Sequence, residues 1–538
     1  MIHYYLFNNA SVASQYGIGT YVCQLSRLFH SWNEVELNLI ELFADVKEYT
    51  IRTDDDGAKH FYIPASATYF EDEVYCRNVF YYLCCHIPIS EQNVFHFNYI
   101  QHYPLAVLLK RQYLQSRFLL TIHYFNWSFQ LKGDYSRFQS IIESRSSERS
   151  EEDEAIINSF YADRMFLRLV DKVIALSAFS KTVLIHDYKI TEQKILLVHN
   201  GLADERKEVK HSMRTIDGEH ILLFVGRLDE LKGLTYLINA FRICLERRKD
   251  LRLVIVGEGD FNKYLSLCKE IWKHVTFTGK LNRDNVLELY QKADIGILPS
   301  MTEQCSYTAI EMMMFGLPLI GSDSTGMNEM MAKEHMVHVI GKSQEEVSRE
   351  LAQKILRLLE NDCLWNNYSK CCRELYIQKY SLPIMERTMK GLVFRRLDHE
   401  KAGLSTSFFP EIDSFFFLII VQQPTIDVNF EGIVGIGVWL WWRICHLTDE
   451  AYSLRLQEYL IYYLDWLSIE LDNSIIEGKQ TELGALLYSL VNNTFYTSKA
   501  KSIISTLQNC FEPDNIFEMI SEEQIVSNAM KLYTTKIL

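Results

Sequence analysis

Through residue 396, short apolar runs alternate with stretches in which apolar residues recur every three or four positions. In the first part, His3–Phe7, Val35–Phe43, Val94–Asn98, Phe118–His123, Lys172–Ser177 and Ile195–His199 predict strands. The intervening period is mostly helical; Tyr21–Ser31 sets Tyr21, Leu25 and Leu28 on one face. Glu48–Arg52 and His60–Pro64 flank Asp54-Asp55-Asp56-Gly57 and predict a hairpin. The three aspartates are read as a solvated turn, not as a metal site. The alternation restarts with strands over Ile221–Val225, Leu251–Val256, Val275–Thr278, Ile295–Leu298, Leu317–Gly321 and Val337–Ile340. Helices over Leu234–Glu246, Tyr264–Trp272, Arg283–Lys292 and Tyr307–Phe315 lie between them.

Such alternation implies mostly parallel sheets covered on both faces. The fold class is therefore α/β, with two doubly wound domains in succession. Their ligands bind beyond the carboxyl ends of the strands. The boundaries fall at residues 1–203 for the first domain, 204–217 for a polar linker and 218–396 for the second domain. Residues 397–538 are rich in Leu, Tyr, Phe and Ile at helical spacing, as in Tyr452–Leu467 and Glu482–Tyr496, and predict an all-α extension. Ser144–Glu154 is dense in charge and predicts an exposed insertion before a helix Ala155–Leu169.

Composition narrows the function. A net charge of −14 over 538 residues argues against a nucleic-acid partner, because phosphate contacts need a basic footprint. The longest greasy run, Phe415–Val421, is too short for a membrane span. The start of the chain lacks the pattern of a signal peptide, so a cytoplasmic location is expected, with peripheral membrane contact left open. Twelve cysteines show no Cys-x-x-Cys spacing and are read as buried thiols of a reducing compartment.

Two segments carry chemistry. The strand Ile221–Val225 ends at Gly226-Arg227, and Lys232 precedes an apolar helix. A guanidinium, an ammonium and free helix amides at one sheet edge suit a diphosphate; the bland alternative is two surface cations. In the second segment Glu303 follows a strand, Ser306 is the expected N-cap, and Glu311 sits among Ile310 and Met312–Met314 before Gly316 ends the helix. A carboxylate in that setting is costly unless paired, and ribose hydroxyls would pair it. Gly257-Glu258-Gly259 after the strand Leu251–Val256 reads as a tight turn.

These segments occur in order with Val275–Gly279, with Ala293-Asp294 before Pro299-Ser300, and with Gly316-Leu317-Pro318. Over about residues 1–395 the chain resembles the family 4 retaining glycosyltransferases, whose two Rossmann-like domains make the GT-B architecture. The resemblance implies that Arg227 and Lys232 grip the donor diphosphate, that Glu303 contacts the transferred sugar, and that Glu311 contacts the nucleotide ribose. Gly17-Ile18-Gly19-Thr20 matches the family's glycine-rich loop near the donor phosphate. His123 matches a histidine lining the active site, and Ser306, Tyr307 and Thr308 complete the donor site. The implied reaction moves a sugar from a nucleoside diphosphate sugar to a glycan, lipid-linked or peptide acceptor, with retention, without metal, and with no cofactor besides the donor. His123 and Glu303 would orient the reactants.

Cys305 and Ser306 depart from the family, which commonly has an aromatic residue and a glycine there. A catalytic thiol at Cys305 is set aside, since no histidine is close in sequence. The rival readings are a non-catalytic scaffold that keeps the fold, and an epimerase or phosphorylase on the same architecture. Phe430–Trp442 faintly resembles the glycine-rich helix starts of lanthionine-cyclase-like domains. Cys445-His446 does not reproduce that family's zinc ligands; the segment reads as helix packing or as a module that docks an acceptor, a partner or a peptide.

Overall fold

Two parallel sheets organise the computed structural model, which describes residues 1–394 except 11–15, 68, 70–71, 145–148 and 207–217. The expected helical extension, with Phe430–Trp442 and Cys445-His446, lies outside the described residues. Met1–Ile142 and Glu151–Arg395 form one compact unit that contains both sheets.

The first sheet holds β1 (Ile2–Asn9), β2 (Val35–Ala44), β3 (Thr50–Thr53), β4 (Lys59–Pro64), β5 (Asn93–Phe97), β6 (Arg117–Ile122), β7 (Lys172–Ala175) and β8 (Ile195–Leu197). Its order is β3-β4-β2-β1-β5-β6-β7-β8, and β3–β4 is its antiparallel pair. The second sheet holds β9 (His220–Val225), β10 (Leu251–Val256), β11 (Val275–Gly279), β12 (Ile295–Leu298), β13 (Leu319–Ser322) and β14 (Met336–Val337). Its order is β11-β10-β9-β12-β13-β14, all parallel. The central strands are apolar on both faces, as double coverage by helices requires; Leu222, Leu223 and Phe224 of β9 are fully buried. The order reverses between β1 and β5 in one sheet and between β9 and β12 in the other, and each reversal opens a crevice at the strand ends.

The sequence pattern misplaces several boundaries. The first helix spans Gly17–His30. The helix expected over Tyr264–Trp272 runs instead over Phe261–Leu267, because Asp260 caps the Lys263 amide and sets an earlier start. The helix after the charged insertion begins at Glu151, where four acidic residues favour its positive end. β9 begins at His220, one residue before the strand expected over Ile221–Val225. Asp54 closes the β3–β4 turn through the amides of Asp56 and Ala58, a turn as expected. Cys23, Cys85, Cys363 and Cys371 are exposed, against the expectation of buried thiols.

The chain crosses between the lobes twice. Leu202 on the outgoing segment bonds the Tyr380 carbonyl at 3.0 Å and accepts from the Leu382 amide at 2.7 Å. The last described helix, Leu382–Phe394, then packs on the first lobe: the Trp32 indole donates to Glu386, and Arg117 donates to the Leu392 and Val393 carbonyls. This helix, placed in the second domain by chain order, thus also makes contacts with the first. Among the described residues no helix is long and apolar enough to cross a membrane.

Candidate active site

The second-lobe crevice gathers the charged residues. Arg227 leaves the end of β9, and its guanidinium lies 3.1 Å from Asp229. Asp229 also accepts from the Lys232 amide at 3.2 Å, so one carboxylate ties the Arg227 guanidinium to the Lys232 backbone. The loop after β10 runs alongside: Gly226 donates to Val256, Leu228 donates to Glu258, and Asp260 donates to Leu228. Gly257 has φ +140°, and a Cβ there would lie 1.8 Å from the Gly226 carbonyl oxygen. This glycine therefore admits a second backbone against the one that carries Arg227, a role beyond the tight turn read from sequence.

Lys232 Nζ reaches Glu303 Oε1 at 2.5 Å, although the two stand 71 residues apart. Glu303 is held by its backbone. Its amide donates to the Thr325 hydroxyl at 2.8 Å, and its carbonyl accepts from the Gly326 amide at 2.7 Å. Ser306 caps the helix Tyr307–Phe315 by accepting from the Ala309 amide, which leaves the Tyr307 and Thr308 amides at its positive end. The Tyr307 phenol is buried without a hydrogen-bond partner.

Glu311 is mostly buried, its side chain 13% exposed, and burial pushes its carboxyl above the usual range. Arg283 at 2.9 Å and the Tyr290 hydroxyl at 2.8 Å oppose that shift. The expectation that substrate hydroxyls must supply its pairing is thus corrected: Arg283 and Tyr290 already do so. Arg283 also clamps Glu205 at 2.9 and 3.0 Å. Sequence reasoning missed Arg283, Tyr290 and Glu205, which sit in no recognisable motif.

The first lobe contributes neutral groups. His123 follows β6, and its Nε2 lies 3.0 Å from Asn98 Oδ1. The Asn98 amide nitrogen donates to the Phe7 carbonyl, so Oδ1 is turned toward His123 and Nε2 carries the proton. Nδ1 is then an acceptor. Burial pushes the His123 pKa down to about 3, so the ring is neutral at pH 7. Tyr21 packs edge-to-face with His123, their ring centroids 4.8 Å apart. Gly17 and Gly19 lie in the first turn of the helix Gly17–His30, not ahead of it as expected. That helix has no side-chain cap and no acidic first turn, and Tyr16 before it donates to Glu258 of the second lobe at 2.7 Å.

Other bridges between the lobes are Lys132–Glu230 at 2.9 Å, the Ala178 amide to Glu329 at 3.0 Å, and the Asn200 amide group to the Cys305 carbonyl at 2.7 Å. Cys305 is buried, and its thiol is pushed up to about 12, too high for a thiolate nucleophile near neutral pH. Among the described residues no group of three or more His, Cys, Asp or Glu side chains is arranged to hold a metal ion.

Comparison with known proteins agrees with this layout. Residues 205–374, which include Arg227, Lys232, Glu303 and Glu311, match the family model for glycosyl transferases group 1. An uncharacterized glycosyltransferase of Methanocaldococcus jannaschii is 34% identical over 176 residues, 30% of this chain and 45% of that protein. Alpha-D-kanosaminyltransferase of Streptomyces kanamyceticus is 26% identical over 181 residues, 33% of this chain and 46% of that protein. The chain thus spans about half the length of these curated relatives. The solved sucrose-phosphate synthase of Thermosynechococcus elongatus superposes with a TM-score of 0.57 at 20% identity, covering 74% of this chain and 99% of the other. Anabaena HepE in complex with UDP-glucose gives 0.53 at 13% identity, covering 73% and 99%. The architecture is GT-B, and the resemblance to glycosyltransferases holds at that level, coarser than family 4.

Proposed function

We propose that this chain is a glycosyltransferase that moves a sugar from a nucleoside diphosphate sugar to an acceptor, with retention and without a metal ion. The observation that carries the reading is the Lys232–Glu303 contact, which joins a cation and a carboxylate from the two strands flanking the second-lobe crevice. Cleavage of the donor bond puts negative charge on the leaving diphosphate and positive charge on the sugar ring. Arg227, Lys232 and the amides of Tyr307 and Thr308 stabilise the first. As Lys232 turns to the phosphates, Glu303 is released to hold sugar hydroxyls. Glu311, braced by Arg283 and Tyr290, accepts from the ribose. His123 is neutral and orients a hydroxyl through Nδ1 instead of carrying a full charge. Closed lobes exclude water from the reacting bond. HepE, a structural neighbour, has been solved with UDP-glucose bound, which supports a nucleotide-sugar donor here.

Calorimetric titration with UDP tests the phosphate assignment. Arg227→Ala and Lys232→Ala are each expected to weaken binding by about tenfold or more, as charged hydrogen bonds are lost. Unchanged affinity in both would overturn it. Hydrolysis of UDP-glucose abolished by a chelator and restored by a divalent ion would overturn metal independence.

A further inference from the structure

The short turn Thr325–Glu329, after β13, touches the Glu303 loop at one end and the first lobe at the other. Its first residues hold Glu303 from behind. The Thr325 hydroxyl accepts from the Glu303 amide at 2.8 Å and donates to the Glu303 carbonyl at 2.5 Å. The Gly326 amide donates to the same carbonyl at 2.7 Å. The fit is close: a Cβ on Gly326 would lie 1.9 Å from the Gln304 carbonyl oxygen. It is also strained. Thr325 has φ +41°, a left-handed conformation that a β-branched residue rarely adopts. Strain of this kind persists only where the surrounding contacts enforce it.

Enforcing contacts come from the last residue of the turn. Glu329 Oε2 accepts from the Ala178 amide at 3.0 Å, at the start of the first-lobe helix Ala178–His186, and lies 3.8 Å from Lys379 Nζ. Glu329 Oε1 lies 3.3 Å from His199 Nε2, just past β8. Burial disfavours the charge on Glu329, but His199, Lys379 and the Ala178 amide outweigh it and hold the carboxyl below its usual range. The same helix start also grips the Glu303 loop directly, because the buried Ser180 hydroxyl donates to Gln304 Oε1. One turn of a first-lobe helix thus holds the residue next to Glu303 and, through Glu329, the strained turn behind it. The phosphate-facing groups are held differently: Asp229 braces Arg227 and Lys232, and Ser306 caps the helix whose amides face the same crevice.

We propose that Glu329 is a positioning residue for Glu303: docked on the first-lobe helix Ala178–His186, it holds the Thr325 turn against the Glu303 backbone and sets that carboxylate for the transferred sugar. The proposal rests on the glycosyltransferase reading of Glu303. It separates two parts of donor recognition. Grip on the diphosphate is independent of Glu329, whereas placement of the sugar depends on it.

Ala178→Pro tests the contact itself. Ala178 is exposed and opens its helix, and Ser177 before it is extended at φ −145° and ψ 158°, so a proline fits there while removing the amide that Glu329 accepts. Calorimetry with UDP is paired with steady-state hydrolysis of UDP-glucose, UDP-galactose and UDP-N-acetylglucosamine by the full chain. For whichever sugar the wild-type chain hydrolyses, Ala178→Pro and Glu329→Ala should each lower kcat by about tenfold or more, with UDP affinity within about twofold. Glu329→Gln, which keeps an oxygen for the Ala178 amide, should restore most of kcat. The double variant Ala178→Pro with Glu329→Ala should be within about twofold of Glu329→Ala alone, since both break one contact. Should Ala178→Pro fail to fold, the comparison of Glu329→Ala with Glu329→Gln decides. UDP affinity falling in step with kcat would make Glu329 a general brace of the lobes and overturn the proposal, as would unchanged turnover in Glu329→Ala or fully additive losses in the double variant. Each of these leaves the donor reading intact. Failure of the wild-type chain to bind UDP, or to hydrolyse any of the three sugars, would instead bring down the glycosyltransferase reading.

Discussion

The two lobes share a doubly wound design and fill the same place in it with opposite chemistry. At the β9/β12 reversal stand Arg227, paired with Asp229, and Lys232, paired with Glu303, ions that stay partly exposed. At the β1/β5 reversal stand amides, the Glu41 carboxyl, and the imidazoles of His96 and His123, which burial holds neutral. The second-lobe edge carries cations, and among these first-lobe groups there is no lysine or arginine.

The contrast can be broken most severely at Gly257. Alanine there meets the Gly226 carbonyl at 1.8 Å, where neither backbone can yield. Gly257→Ala should cost about 3 kcal/mol or more in urea unfolding and abolish measurable UDP binding. Gly133→Ala is the counterpart between the lobes, since its Cβ would meet the Met301 carbonyl at 2.1 Å. It should separate the lobes while UDP binding to the second lobe survives. If Gly257→Ala binds UDP normally, the loop after β10 does not seat Arg227.

Acid separates the lobes next. His96, His102 and His123 of the first lobe are pushed down to about 3 by burial. Below pH ~6.5 the unfolded chain takes up protons at these sites and the folded chain does not, so stability falls with pH until about pH 3, by at most ~1.4 kcal/mol per unit for each histidine. Glu311 works the other way. Its pKa is raised by burial, so its contribution improves as pH falls through that raised value. Urea unfolding at pH 7 and pH 5, followed by tryptophan fluorescence, should show a loss that His96→Gln reduces. A slope unaltered in His96→Gln would mean that its ring is not the buried neutral group its Tyr4 and Thr121 contacts indicate.

The smallest effect is expected at Cys305. Its carbonyl, not its thiol, makes the contact across the cleft with Asn200. Cys305→Ser should change turnover by less than about threefold and cost ~1 kcal/mol in stability. A loss of turnover beyond a hundredfold would reinstate thiol chemistry.

Much of this was legible along the chain. The alternation of apolar runs identified both parallel sheets, because double burial leaves the strands no polar face. Glycine and serine punctuation located the helix Tyr307–Phe315 to the residue. The ends of the Phe261–Leu267 helix were misread because a single aspartate cap outweighs an apolar period that continues past it.

By itself the sequence determined which strands exist and which charged residues stand at their carboxyl ends, since both follow from local periodicity and from spacing within one β-α unit. Only the tertiary structure decided who pairs with whom. Lys232 meets Glu303, Arg283 shields Glu311, Gly257 lies against Gly226, and Asn8 shares a sheet edge with His123, in each case between residues distant in the chain. A hydrogen bond or an ion pair acts over about 3 Å of space and is indifferent to separation in sequence, so these partners become visible only once the strands are ordered.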